Sequence, residues 1–330
     1  MAQNKFVVIG SNCFTGSHIV DALVENPDNQ VIGISRSPEY KDFFLPYKRH
    51  PGNNFTFHQF EVVGDFAAIA ELLDQFKPEY VINVAALSEV GISNEQPVEY
   101  FAVNATAVVR LCNHLRRTSY LRQYIHISSA EVFGANTGQL DEVALFNPTT
   151  PYAVSKSAAD MFLYSLIRNF DFPVTLIRST NVFGKHQQLY KIIPRMIIYN
   201  KLGKKVELHG GGKSSKFFIH IRDVVNGLML AIEKEKTGTF HFSVPDNEVI
   251  AGIVRRVCER LGSDFEQSTT VVGERLGQDP SYWLNCSRAM EELGWKPRIS
   301  FEEGVDEVIE WVEANWAQIE KEPLEYIHKV

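Results

Sequence analysis

The chain has 330 residues, 45% hydrophobic and 22% charged, with a net charge of −7 and a pI near 5.8. That length predicts about two domains or one large one, and the composition excludes a disordered, collagen-like or disulfide-scaffold chain. The acidic balance argues against a nucleic-acid groove or a polybasic membrane surface, although net charge does not see a buried positive pocket. Cys13, Cys112, Cys258 and Cys286 stand far apart without a CxxC, which reads as a reduced, cytoplasmic chain. No apolar run reaches the roughly 18 residues that span a bilayer, and Phe6 to Ile9 is too short for a signal-peptide core.

Taken in order, the first half alternates apolar runs with amphipathic stretches. Lys5 to Gly10 predicts a buried strand ending in a turn, and Ser17 to Glu25 a helix with Ile19, Leu23 and Val24 on one face. Strands follow at Gln30–Ile34 and Asn54–Val63, a helix at Ile69–Phe76, and a strand at Glu79–Ala85. Val98 to Arg117 predicts one long helix, Tyr124 to Ser128 a fifth strand, Ala153 to Asn169 a second long helix and Val174 to Arg178 a strand. Strand and helix in alternation, with nearly continuous apolar strands, predict a parallel sheet covered on both faces. Beyond Arg178 the rhythm loosens, with strands expected at Phe217–Ile221 and Thr239–Val244 and helices at Val224–Glu233, Val249–Leu261 and Phe301–Trp316. The expected fold is therefore α/β: a Rossmann-type, doubly wound parallel sheet with a smaller mixed α/β C-terminal lobe. Residues 1–178 plus 217–244 form the nucleotide-binding domain, and 179–216 plus 245–330 the substrate lobe.

Two segments carry chemistry. Gly10-Ser-Asn-Cys13-Phe14-Thr15-Gly16 follows a strand and opens a helix, the context of a dinucleotide fingerprint, in which glycines let a pyrophosphate approach the helix N-terminus. Its middle position is Cys13, whose side chain must turn away from the phosphate or push it. The second strand ends Ser35-Arg36 with no acidic residue for a ribose hydroxyl, which tilts the cofactor toward NADP over NAD. The second segment is Tyr152-Ala-Val-Ser-Lys156. Positions i and i+4 share a helix face, so the expectation is that Lys156 lowers the pKa of Tyr152 and makes it a usable base, with Ser129 orienting a sugar hydroxyl. The histidines are scattered without metal spacing, so no metal site is expected.

With these pieces in place, the sequence resembles the extended short-chain dehydrogenase/reductases of the NAD-dependent epimerase/dehydratase family, most nearly the nucleotide-sugar 4,6-dehydratases of the dTDP-glucose and GDP-mannose kinds. The likeness rests on Gly10…Gly16, Asn83-Val-Ala85-Ala, Asn104, Ser128-Ser-Ala-Glu-Val-Phe-Gly134, Tyr152…Lys156, Arg178-Ser-Thr-Asn-Val-Phe-Gly184 and Gly294-Trp-Lys-Pro297. It implies a tightly bound nicotinamide cofactor touching Ala85 and Asn104 as well as the glycine turn. It also implies a lyase chemistry in which Tyr152 takes the proton of the sugar 4-hydroxyl and hydride leaves C4. Glu131 then removes the C5 proton, water leaves C6 and hydride returns there. Ala130 stands where the dTDP-glucose enzymes carry an aspartate, which leaves a 4-epimerase or decarboxylase as alternatives. A non-catalytic NAD(P)-binding sensor is the alternative of another class, motivated by Cys13. By the same resemblance Ser88, Asn181, Lys191, Lys216 and Arg275 meet the nucleotide-diphosphate sugar, and helices near 98–117 and 152–169 build a homodimer.

Overall fold

The computed structural model describes residues 4–135, 138–273 and 282–326. In chain order the elements of the first region are β1 (Lys5–Ile9), α1 (Phe14–Val24), β2 (Gln30–Ser35), β3 (Phe55–Gln59), α2 (Phe66–Phe76), β4 (Tyr80–Asn83), α3 (Val90–Ser93), α4 (Pro97–Phe101), α5 (Ala107–Leu115), β5 (Gln123–Ile127), β6 (Gln139–Leu140), α6 (Pro151–Phe170) and β7 (Val174–Ser179). There follow β8 (Asn181–Phe183), α7 (Ile192–Lys201), β9 (Val206–His209), β10 (Ser215–Lys216), β11 (Phe218–His220), α8 (Ile221–Glu233), β12 (Gly238–Phe242), β13 (Glu248–Val249), α9 (Ile250–Leu261), α10 (Phe265–Ser268), β14 (Thr269–Val272), β15 (Trp283–Leu284), α11 (Ser287–Leu293), α12 (Phe301–Ala314) and α13 (Trp316–Ile319).

Seven strands form one sheet in the order β12-β7-β5-β4-β1-β2-β3, and every pairing in it is parallel. Central strands buried on both faces explain why β1, β4 and β7 read as continuous apolar runs. One face packs α1, α8 and α11 through Ile19, Leu23, Val224, Leu228 and Leu293. The other packs α2, α5 and α6 through Ile69, Leu73, Leu111, Leu115, Leu163 and Leu166. The strand order reverses between β1 and β4, and ligands of such sheets bind in the crevice at that switch point. A separate core of Ile193, Ile197, Val254, Val257, Val308 and Trp311 joins α7, α9 and α12.

Two expectations are corrected. The long helix over 98–117 is broken into α4, a π-helical turn over Ala102–Thr106 and α5. Asn104 lies in the bulge, and its side chain bonds the Leu87 backbone outside the helix; such bulges recur at functional sites. The second concerns the 217–244 segment, which splits. β12 sits at the edge of the main sheet beside β7, whereas β11 pairs with β8 outside it. The segment Gly294-Trp-Lys-Pro297 closes over α8: Trp295 Nε1 donates to the Asp223 carbonyl (2.9 Å), and the amides of Arg298 and Ile299 donate to the Asp223 carboxylate (3.0 and 3.1 Å).

Candidate active site

The phosphate-binding turn is as tight as its glycines require. Gly10 has φ +92°, and a Cβ there would lie 2.7 Å from the Ala85 amide nitrogen; a Cβ on Gly16 would lie 2.1 Å from the Gly10 carbonyl oxygen. Only glycine fits either position without moving backbone. Cys13 is resolved by geometry: it is the N-cap of α1, and its Sγ accepts from the Gly16 amide at 3.3 Å. The sulfur thus turns into the helix start rather than toward a phosphate. Burial pushes this thiol up to about 11, against the opposing backbone hydrogen bonds, so it is an unreactive cap at neutral pH. Phe14 sends its ring into the core and edge-on to His18, which leaves only its backbone, with that of Thr15, at the turn. No acidic side chain stands in the first turn of α1, so the positive end of the helix is open to an anion.

Gly10, Asn12, Cys13, Ser35, Arg36 and Ala85 border one cleft. The Ser35 hydroxyl accepts from the Asn12 amide (3.0 Å) and lies 3.4 Å from Ser11 Oγ; it braces the turn. Arg36 forms the rim beside it. Ala85 donates its amide to the Ile9 carbonyl at 3.0 Å. Asn104, expected at the cofactor, braces the loop after β4. It is fully buried; its Oδ1 accepts from the Leu87 amide (2.9 Å), and its Nδ2 donates to the Leu87 carbonyl and to Ser155 Oγ (both 3.0 Å). It holds the loop after β4 against α6. A turn that admits no side chain, a helix start free of acids and a cleft with Arg36 at its rim together fit a dinucleotide diphosphate.

The catalytic candidates meet at the C-terminal end of β5. Thr150 caps α6 by accepting from the Ala153 amide at 3.2 Å, and Pro151 occupies the first turn, which sets Tyr152 at the helix start. Tyr152 is hydrogen-bonded to Ser129 and lies in the field of the Glu131 carboxylate. Ser129 also accepts from the Glu131 amide at 3.2 Å. Burial pushes the Tyr152 phenol well above its ordinary value, Glu131 adds to the rise, and the Ser129 hydrogen bond opposes it.

This corrects the expectation that Lys156 lowers Tyr152. The Lys156 ammonium points down to the sheet, donating to the Ile127 carbonyl (2.7 Å) and lying 3.3 Å from His126 Nε2. Burial lowers Lys156 from 10.5 to about 8, partly offset by Asp160. His126, dismissed among scattered histidines, is held neutral by burial and by the adjacent Lys156 and Arg178. Beneath the site, Arg178 and Asp160 form a fully buried ion pair (2.9 Å). Asp160 also accepts from Ser128 Oγ (2.8 Å), and Arg178 donates to the Tyr164 hydroxyl (2.7 Å). Arg178 appeared in the sequence only as part of a motif; Asp160, one turn past Lys156, carried no signal of its own.

The substrate candidates divide. Ser88 is exposed in the loop after β4. Asn181 is exposed on β8, with Nδ2 donating to the Phe217 carbonyl at 3.3 Å. Lys191, expected on the diphosphate, is paired with Glu89 at 2.5 Å; Glu89 was not singled out in the sequence. Lys216 is buried, stands over the Tyr282 ring at 4.8 Å and lines a second cleft with Asn247, Arg256 and Arg298. Arg275 lies outside the described residues. Among the described residues no group of three His, Cys, Asp or Glu side chains converges as a metal would need, and no helix is long and apolar enough to cross a membrane.

A Rossmann-type sheet with a glycine turn at its switch point and a Ser-Tyr-Lys constellation beyond β5 defines an NAD-dependent epimerase/dehydratase of the extended short-chain dehydrogenase/reductase class. A family model described as GDP-mannose 4,6 dehydratase matches residues 7–308, and the chain belongs to that family. A dTDP-D-glucose 4,6-dehydratase of Mus musculus is 29% identical over 96% of this chain and 92% of its own length. A dTDP-glucose 4,6-dehydratase of Haemophilus influenzae is 24% identical over 93% and 97%. Among solved structures, a dTDP-glucose 4,6-dehydratase from Streptomyces venezuelae with NAD bound superposes at TM-score 0.86, with 23% identity over 95% of this chain and 98% of that one. A UDP-glucose 4-epimerase from Thermotoga maritima superposes at 0.85, with 24% identity over 94% and 99%; at such identities the likeness is one of fold. The chain is a nucleotide-sugar 4,6-dehydratase by this family membership.

Proposed function

We propose that the site dehydrates a nucleotide-diphosphate hexose across C5 and C6, with Tyr152, Ser129 and Glu131 doing the proton chemistry. The observation that carries this is the meeting of a hydroxyl, a phenol and a carboxylate at the end of β5, where Tyr152 bonds Ser129 within the field of Glu131. Nicotinamide, when bound, supplies the hydride acceptor and donor and a positive charge that favours the phenolate. Ser129 orients the 4-hydroxyl and Tyr152 accepts its proton. The 4-ketone acidifies C5–H, and Glu131 removes that proton. Ala130 is buried beside Val132 and Phe133 and has no proton to give, so Glu131 passes the C5 proton to the C6 oxygen, which leaves as water; as C6 takes back the hydride, C5 regains a proton through Glu131 and Tyr152 releases the proton it took, so that the net change is loss of one water. Lys216 and Arg275 neutralise the diphosphate.

The cofactor is NAD, the dinucleotide in the related solved structures, held tightly because the reaction returns its hydride. Arg36 at the rim of the cleft gives the site room for a 2'-phosphate, and we propose that it takes NADP as well; equal protection against heat by the two dinucleotides checks this. The protein is proposed to work in the cytoplasm as a homodimer. Val98 (74% exposed) on α4 and Met161 (63%) on α6 are exposed apolar side chains on the two segments that the resemblance assigns to the dimer contact.

The test is incubation with UDP-, dTDP-, CDP- and GDP-hexoses and the matching hexuronates without added cofactor, followed by mass spectrometry. A product lighter by one water is expected. A product of unchanged mass would mean epimerisation, and loss of carbon dioxide from a uronate would mean decarboxylation.

A further inference from the structure

The loop after β2 is rooted in one lobe and reaches into the other. Arg36, Ser37 and Tyr40, at its start, line the cleft described above for the dinucleotide. Asn12 of the phosphate-binding turn holds this stretch, its Nδ2 donating to the Ser37 and Pro38 carbonyls at 2.9 and 2.8 Å. The loop returns to the sheet domain at Leu45 and Tyr47, both buried in the core that α1 shares. Its tip leaves that domain. Phe43 is buried in the core of the C-terminal lobe, and Phe44 packs against the same core. The two rings lie 6.1 and 6.2 Å from the ring of Trp311 on α12. The Phe43 carbonyl accepts twice from that lobe, from Trp311 Nε1 at 3.0 Å and from His186 Nδ1 at 2.8 Å. At the surface, Lys41 is paired with Glu322.

Withdrawing Phe43 would return its ring to water and leave a cavity behind, so the tip is seated firmly. Tyr40 and Phe43 are joined by at most about 10 Å of extended chain. The wall of the cleft therefore cannot swing far outward while Phe43 stays in place. The Asn12 bonds tie the wall from the inside, but water can replace them at modest cost; the tie through Phe43 is the buried one. We infer that Phe43 and Trp311 are positioning residues for the dinucleotide: through them the C-terminal lobe holds the Arg36–Tyr40 wall in place and slows the release of NAD. The inference rests on the reading of that cleft as the NAD site.

The experiment loads the protein with radiolabelled NAD, chases it with excess unlabelled NAD and follows release, with association rate and urea midpoint measured alongside. Trp311→Phe keeps a ring and loses only the Nε1 donor; it should release NAD about fivefold faster. Phe43→Ala should release it more than about tenfold faster. Glu322→Lys should speed release about threefold, and adding Lys41→Glu to it should restore the wild-type rate. A merely structural role would lower the urea midpoint and leave release unmoved. Wild-type release in Trp311→Phe and in Glu322→Lys overturns the latch, and these two decide the matter even where Phe43→Ala does not fold. Ser37→Trp, which fills the cleft, should weaken NAD binding at least about tenfold. Normal NAD binding by Ser37→Trp sinks the cleft reading. Weakened binding there, with release unchanged in the other variants, sinks the latch alone.

Discussion

Glu131 is where the proposed chemistry is most exposed to test. It lies just past β5 in a short helical turn that Ser129 caps, and its carboxylate acts on Tyr152. Glu131→Gln keeps the shape and removes the base. Elimination should fall by about 10²–10⁴-fold, while oxidation at C4 continues and accumulates reduced cofactor, read by absorbance. A variant that dehydrates at the normal rate would assign the C5 proton to another group. Of these residues, Tyr152, Ser129 and Glu131 were legible in the sequence through their motifs. The direction of the Lys156 ammonium was not, because i+4 spacing fixes a helix face but not where a long, flexible side chain ends.

At the scale of elements, α6 is held to β5 and β7 by polar bonds as well as apolar packing. Asp160 on α6 accepts from Ser128 after β5 and from Arg178 on β7. Arg178 is also stacked near Phe133 and Phe146 at 4.9 and 5.0 Å. Burying both charges is costly, and three hydrogen bonds converging on Asp160 Oδ2 offset that cost, while Asp160 Oδ1 is buried without a hydrogen bond. Asp160→Ala would leave the guanidinium buried without its counter-charge. The expected loss is about 3–5 kcal/mol in urea unfolding, with Lys156 and Tyr152 displaced and activity reduced. A loss under about 1 kcal/mol would mean that water replaces the carboxylate. The broken helix at Ala102–Thr106 belongs to the same scale. Apolar periodicity runs through it unbroken, and Asn104 sits within the bulge with its side chain bonded to Leu87 and Ser155.

Across the whole molecule, titration of buried histidines sets the acid limit. Burial lowers His18, His220 and His241 from 6.5 to about 3 each. Below pH 6.5 the unfolded chain binds protons that the folded chain refuses, so stability is present above that value and is lost as pH falls toward 3. Each such proton costs about 1.4 kcal/mol per pH unit. The urea midpoint should therefore drop steeply between pH 6.5 and 5; a flat midpoint would show that these rings take up protons normally in the folded state. Local pattern by itself determined the strand-turn-helix of residues 5–24 and the strand–helix alternation of a parallel sheet, because each depends on periodicity or short spacing that neighbouring residues encode, whereas Glu131 was singled out through the family resemblance. Tertiary structure alone decided that Cys13 caps its helix, that Lys156 faces the sheet and that β12 and β11 part company. It alone brought Glu89 to Lys191, because each of these is a contact between distant segments, settled by packing and by the need of every buried charge for a partner.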